Sequence, residues 1–312
     1  MINTKHLQAI LAIVRYGSIT AASKKLFVSQ PALSQVVKSV EAELGAPLFD
    51  REGNRIRLTP AGELYVEAGR KILEIDRSLH AQISDAKDDF YGEFRLGISV
   101  QRGLQLLPQV IPAFVSRYPN VRIRLCEEGS ARLEQMITEG LCDVAFITTS
   151  SKRNHLRYVL IENERLVLIA AKTTRLAQRF PDGATLDIAE ARDERFISMT
   201  EGHSVRTIQD RLFEEYGLYP HIILETHNME AAKSIAARSN AVFLVPSVYV
   251  SDTMPDRHRI HVYPISNYNY ERHFYFCYRQ DMYLTRYEKD LVHIVCDRIG
   301  VPCNLPETSA DI

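Results

Sequence analysis

Residues 18–44, SITAASKKLFVSQPALSQVVKSVEAEL, constrain the fold more than any other stretch of the chain, because two helix starts and a tight turn are packed into it. Ser18 is a natural N-cap for a helix running to about Leu26, and Ala21 and Ala22 within it are small enough to let another helix approach closely. Phe27-Val28 makes a short apolar turn. Ser29 then caps a further helix, with Pro31 tolerated in the first turn, where backbone N–H groups lack partners. Upstream, Leu7, Ile10, Leu11 and Val14 fall at i, i+3, i+4 and i+7, an amphipathic helix that Thr4 would cap and Gly17 would end. Three helices are therefore expected within the first 44 residues.

In the third helix, Leu33, Val36, Val37, Val40 and Leu44 form an apolar face and leave Gln30, Ser34, Gln35 and Lys38 on the other. Glutamine can pair bidentately with adenine, serine can donate or accept, and lysine reaches guanine or phosphate, so this face suits a DNA major groove. The same residues also suit the solvated face of a small helical bundle, and composition does not separate the two. The next stretch does. PLFDREGNRIRLT (47–59) alternates apolar and basic residues around Gly53-Asn54 and reads as a hairpin, whose Arg51, Arg55 and Arg57 would lie beside a duplex. A hairpin placed directly after the third helix makes a winged helix-turn-helix.

Over GSITAASKKLFVSQPALSQVVKSVEAELGAPLFDREGNRIRLTPAG, the chain resembles the N-terminal signature of the LysR-type transcriptional regulators, above all in AAxxLxVSQPALS, ELGxPLF and LTxAG. The resemblance implies that the third helix enters the major groove of double-stranded operator DNA, with contacts from Ser29, Gln30, Pro31, Ser34 and Lys38 and with Arg55 on the wing. It also admits RNA polymerase as a further partner. One departure is Gln35-Val36-Val37, where the family more often carries Arg or His. That change either alters the preferred operator or lowers non-specific affinity.

From Thr59-Pro60 a long helix should begin, with Thr59 as cap and Pro60 at its first position. Tyr65, Ala68, Ile72, Ile75 and Leu79 recur at 3-4 spacing, a heptad seam for self-association as a homodimer or homotetramer. Gly62 and Gly69 weaken the helix standing alone, so a partner helix should supply much of its stability. At about 1.5 Å per residue it spans roughly 40 Å, comparable to the separation of successive major grooves.

After Gly92 the pattern changes to alternating apolar runs and amphipathic helices: strands at 93–100, 121–128 and 143–148 with helices between them, which argues for a parallel sheet. A second set follows, with strands at 166–171, 195–198, 221–225 and 241–245, and helices at about 204–216 and 229–238. A strand at 274–278 and a helix at about 284–299 close the domain. Two sheets imply two lobes with a cleft between them. Ligands of open α/β sheets bind at strand carboxyl ends, which carry Ser99, Val100, Gln101 and Arg102, then Thr148 and Thr149, then Ser198, Thr200, Glu201, His203 and Arg206. Arg102, His203 and Arg206 would suit an anionic small molecule such as a carboxylate or amino acid. Glu201 would suit a cation or neutralise one of the arginines.

This part also resembles the effector-binding domain of the same family, which is similar to periplasmic binding proteins. The resemblance implies that Ser99, the segment around Thr149, Ser198 to His203, and Phe243 to Pro246 line an effector pocket. Ser239-Asn240-Ala241 stands where the family usually has a glycine. The fold class expected is therefore α/β with an all-α head: an N-terminal winged helix-turn-helix (1–59), a linker and dimerisation helix (60–90) and a two-lobed α/β effector domain (91–312). Lobe I is about 91–164 and 266–301, and lobe II about 165–265. The polar tail PCNLPETSADI is expected to fray.

Charge agrees with this division. Residues 1–62 carry eight Lys/Arg against four Asp/Glu, while the remainder carries 30 against 35. A basic head on an acidic body fits a polyanion-binding module attached to something else. MINTKHLQAILAIVRYGS has no basic n-region and is interrupted by Arg15, so no secretory signal is read there, and no apolar run is long enough to span a membrane. Cys126, Cys142, Cys277, Cys296 and Cys303 are scattered without metal-like spacing, as expected of reduced thiols in a cytoplasmic protein. No G-x-S-x-G elbow, P-loop or H-E-x-x-H motif supports an enzyme. His258-x-x-His261 lacks the carboxylate or cysteine support that a metal site needs. No metal and no cofactor is expected.

Overall fold

The computed structural model describes residues 3–52, 55–87, 90–270 and 272–305. The chain divides into two compact units, residues 1–92 and, apart from two short segments, the residues from Glu93 onward.

The head is built from three capped helices. Helix α1 (Thr4–Tyr16) is capped by Asn3, whose side chain accepts from the Lys5 N–H, so Thr4 is the first helical residue and not the cap expected of it. Gly17, at φ 72°, ends it in the left-handed conformation that glycine tolerates. Helix α2 (Ile19–Leu26) starts at Ser18, which accepts from the Ala21 N–H at 3.0 Å, and α3 (Gln30–Leu44) starts at Ser29, which accepts from the Ala32 N–H at 3.3 Å. Ile10, Ile13, Ala22, Leu33, Val37, Val40, Leu48 and Val66 close the core. Of the apolar face expected for α3, Val36 is only half-buried and Leu44 is 49% exposed, because the helix outruns the small head it packs against.

Strands β1 (Phe49–Glu52) and β2 (Arg55–Leu58) form the expected antiparallel hairpin, Phe49 opposite Leu58 and Asp50 opposite Arg57. The turn at Gly53-Asn54 and the side chains of Arg51 and Arg55 lie outside the described residues. Arg57 is exposed but stands two rungs back from the turn-proximal Glu52–Arg55 pair.

Helix α4 (Pro60–Ala86) is capped by Thr59, which accepts from the Gly62 N–H and donates to the Pro47 carbonyl. Its buried face is Gly62, Val66, Gly69 and Leu73, and it lies on the head. A Cβ at Gly62 would sit 2.1 Å from the Leu48 carbonyl oxygen, and one at Gly69 would sit 2.7 Å from Leu7 Cδ2. These glycines are close-approach points, and part of the stability expected from a partner helix comes from the head instead. Tyr65 is half-buried against the head core, so the expected seam shifts: Leu64, Ala68, Ile75, Leu79 and Ile83 form the exposed apolar face, with Ile72 half-buried.

The second unit contains two five-stranded sheets. The first has the order β4-β3-β5-β12-β6, from β3 (Gly92–Ile98), β4 (Val121–Glu127), β5 (Val144–Thr149), β6 (Leu156–Glu164) and β12 (Arg272–Arg279). Helices α5 (Val100–Arg117) and α6 (Ser130–Thr138) pack on it, and α10 (Arg286–Ile299) lies against α5, with Arg298 reaching Gln109. The second has the order β11-β7-β10-β8-β9, from β7 (Leu166–Ala171), β8 (Arg195–Met199), β9 (His221–Thr226), β10 (Val242–Pro246) and β11 (Ile260–Pro264), with α7 (Arg175–Arg179), α8 (Ser204–Glu215) and α9 (Met229–Arg238). The sheets are mixed and not purely parallel, because β12 runs antiparallel to β5 and β6, and β7 runs antiparallel to β10 and β11. Strands β6 and β11 were not expected from sequence. The chain crosses to the second sheet at Arg165, between β6 and β7, and returns between Pro264 and Arg272. Asn240 adopts φ 49°, a left-handed conformation that asparagine tolerates better than most side chains. All five cysteines are thiols outside any disulfide. Residues 306–312 of the tail lie outside the described residues, as does the fraying expected there.

Candidate functional site

On the head, burial divides α3 into two faces. Leu33, Val37 and Val40 are sealed in the core, while Gln30, Pro31, Gln35 and Lys38 are exposed, together with the capping Ser29; Ser34 is half-buried. Lys24 and Lys25 are exposed in the last turn of α2, and no acidic residue occurs between Ser18 and Val40. The face presents amide, hydroxyl and ammonium groups without a carboxylate to repel phosphate.

In the two-lobed unit the strand carboxyl ends sort the expected ligand contacts into two groups. Ser99 is half-buried and caps α5, accepting from the Arg102 N–H at 3.3 Å, and Val100 is exposed. Gln101 is half-buried and bridges the lobes by donating from Nε2 to Glu230 on α9. Thr148 and Thr149 are half-buried; the Thr148 N–H donates to Ser130 Oγ, and the Thr149 hydroxyl donates to the Ser151 carbonyl. Thr200 holds His227 through its hydroxyl at 2.5 Å, Glu201 is exposed, and His203 is half-buried. These residues remain open to a ligand. The others are sealed. Ser198 is 0% exposed and its hydroxyl accepts from Gln209 Nε2, Phe243 is 0% exposed in the core of the second sheet, and Pro246 is buried opposite Leu166.

The charges expected to hold an anion are already paired within the fold. Arg102 is 3% exposed; Nη2 reaches Glu162 at 2.9 Å, Nη1 lies 3.6 Å from Glu164, and the guanidinium stands 4.0 Å over the Phe274 ring. Glu164 also accepts from Arg272 Nε at 2.6 Å, and Arg272 Nη1 reaches Ser204 Oγ on α8, so buried Arg102, Glu164 and Arg272 with half-buried Glu162 form a charged group that is tied to the second lobe through Ser204. Arg206 is held by Asp210 at 2.7 Å and Glu225 at 2.5 Å, and Glu201 takes no part. His203 caps α8 through Nδ1; burial, reinforced by the neighbouring Arg272 guanidinium, pushes its pKa down to about 4, so it is neutral at neutral pH. Glu162, Glu164 and Arg272 escaped the sequence reading. The signal lay in IENE (161–164), an apolar strand end with two carboxylates at i and i+2 on one face.

Two cavities flank the lobe crossovers. One of about 340 Å³ is lined by Asn163, Glu164, Tyr268, Tyr270 and Arg272, and one of about 260 Å³ by Arg102, Gln105, Glu162 and Val248. Neither reaches Thr148, Thr149 or the loop after β8. Among the described residues no cluster of three or more His, Cys, Asp or Glu could hold a metal ion; His258 is exposed and His261 contacts the Tyr263 hydroxyl at 3.0 Å. No described helix is long and apolar enough to cross a membrane.

The chain thus joins a basic helix-turn-helix head to a two-lobed α/β unit, and what such a pairing does is decided by its family and not by the fold alone. Residues 4–63 match the bacterial regulatory helix-turn-helix of the lysR family, and residues 87–299 match the LysR substrate binding domain. The chain belongs to the LysR family of transcriptional regulators. It is 29% identical over 284 residues to the HTH-type transcriptional regulator YwbI of Bacillus subtilis, spanning 90% of this chain and 91% of that protein. A full-length OxyR variant from Pseudomonas aeruginosa shares the fold with a TM-score of 0.73 at 22% identity, covering 97% of this chain and 96% of that one. Full-length CbnR, solved with its target DNA, superposes with a TM-score of 0.59 at 23% identity, covering 94% and 99%.

Proposed function

We propose that Ser29, Gln30, Pro31, Ser34, Gln35 and Lys38 are the operator-contacting face of this regulator, with Arg51, Arg55 and Arg57 carried beside the duplex by the hairpin. The observation that carries this reading is the division of α3 between a buried apolar face and an exposed polar one. Residues 1–59 act as the reading head, 60–90 as linker and 91–312 as sensor, working in the cytoplasm. Self-association runs through the exposed face of α4, with Ala68, Ile75 and Leu79 as expected and Leu64 in place of Tyr65. Replacing Gln30 or Ser34 by Ala should weaken binding to a selected operator by about 1–3 kcal/mol per base contact while sparing random DNA. Equal losses on both DNAs would mean that these side chains do not read bases.

The effector is a small carboxylate or amino acid held in the inter-lobe cleft by hydroxyls and by the N–H groups at the starts of α5 and α8. The pairing of Arg102 and Arg206 with carboxylates supports capture by helix ends over capture by a guanidinium. Ser99, Gln101, Thr149, Thr200 and His203 are the contacts expected. A thermal-shift screen of carboxylates and amino acids on the full chain should find a stabilising compound whose effect shrinks in Thr200→Val. Undiminished stabilisation in that variant places the ligand elsewhere, with the two crossover cavities the next sites to test.

A further inference from the structure

Phe27 is the most exposed large apolar side chain of the described residues, at 96%, and it stands three residues ahead of Gln30. Its backbone is in the left-handed region, φ 55° and ψ 38°, where it terminates α2 by donating its N–H to the Ser23 carbonyl. A non-glycine side chain pays for that conformation, and Asn or Gly would adopt it at less cost. Neither the cap nor the core therefore explains a phenylalanine here, because the ring is left almost wholly exposed. Its neighbours indicate what covers it. Lys24 and Lys25 are exposed one turn before it, Leu26 and Val28 are 38% and 45% exposed beside it, and Ser29, Gln30 and Pro31 continue the surface onto α3. The absence of any acidic residue from Ser18 to Val40 makes this continuous patch complementary to a polyanion.

The start of a recognition helix is the part that approaches base edges in the major groove. The only apolar group on a base edge there is the thymine 5-methyl. We propose that Phe27 is a specificity-determining residue that packs against the 5-methyl of one operator thymine, adjacent to the bases read by Gln30 and Ser34, with Lys24 and Lys25 on the flanking phosphates. The proposal rests on the reading of α3 as the base-contacting helix.

The test uses full-length protein and duplexes selected from a random-sequence library by the unaltered chain. Each selected thymine is replaced in turn by deoxyuridine, which removes only the methyl group. At one position this should weaken binding roughly three- to fivefold, the loss expected for one buried methyl-sized group. Phe27→Asn suits the left-handed backbone, so its unfolding midpoint should be no lower. It should lose the same factor on the thymine operator and nothing further on the deoxyuridine operator. No thymine with a methyl effect, a Phe27→Asn variant that binds as well as the unaltered chain, or a loss that is the same with and without the methyl would each overturn the proposal; the last would place the ring on the sugar–phosphate backbone or on another protein. Gln30→Ala, run in parallel, separates the two readings. Operator loss there with Phe27→Asn silent sinks only the Phe27 contact, whereas silence in both removes the base-reading role of α3.

Discussion

At the residue scale, the cleft side chains are committed to the fold more deeply than their types suggest. His203 combines a capping role with a neutral ring, and its pKa of about 4 stands below the ordinary histidine value because burial and nearby Arg272 disfavour the charge. The unfolded chain therefore takes up a proton near pH 6.5 that the folded chain refuses until about pH 4. Between those limits stability falls as pH falls, by at most about 1.4 kcal/mol per pH unit, and below them this contribution is constant. His203→Asn, which keeps a capping side chain, should flatten the pH dependence of urea unfolding between pH 6.5 and 4 relative to the parent. Parallel curves for the two proteins would show that the ring titrates normally. The position of His203 at a strand end was legible in sequence, but its neutrality was not, because that depends on Arg272, about 70 residues away in the chain. Ser198 was misread for a related reason. Strand alternation alone does not say which serine points inward to Gln209.

At the element scale, α4 shows how one helix serves two surfaces. Its buried face is cut to fit the head by glycines seven residues apart, and its exposed apolar face is the surface proposed for self-association. Gly62→Ala would gain about 1 kcal/mol of helix propensity. It would drive a methyl group into the Leu48 carbonyl, which also accepts from the Thr59 N–H, so backbone must move. A net destabilisation of about 1–3 kcal/mol is expected in urea unfolding. Gly69→Ala should cost less, because its obstacle is the end of the Leu7 side chain, which can turn aside. A Gly62→Ala protein as stable as its parent would mean that the helix does not approach the hairpin this closely. Thr59-Pro60 located the start of α4 and the 3-4 periodicity its apolar positions, yet the periodicity confused Tyr65 with Leu64 because the two are adjacent and both apolar; only the head decides which of them it covers. Strand β6 went unread for a different cause. Its alternation, LRYVLIENE, ends in carboxylates whose purpose is visible only once Arg102 and Arg272 are beside them.

At the scale of the whole molecule, one head offers few base contacts and a net charge of only +4 over residues 1–62. Specific binding of useful strength therefore requires two heads on one DNA, as half-site geometry demands of helix-turn-helix dimers. The lobes of the sensor are joined by polar contacts, Gln101 with Glu230, Gln105 with the Val248 carbonyl and Arg272 with Ser204, which a ligand can favour or oppose. An effector that binds every arrangement of the lobes equally well would change nothing. The central claim, that α3 discriminates among sequences only when α4 pairs it with a second copy, is tested most directly by comparing binding to duplexes carrying one or two half-sites. The parent chain and a double variant, Ile75→Glu with Leu79→Glu, would be measured on both. The parent should bind the two-site duplex at least tenfold more tightly, a gap of about 1.4 kcal/mol or more, and the double variant should be monomeric by sedimentation and bind both duplexes alike. Equal affinity of the parent for one and two half-sites, or a double variant that keeps the preference, would contradict it.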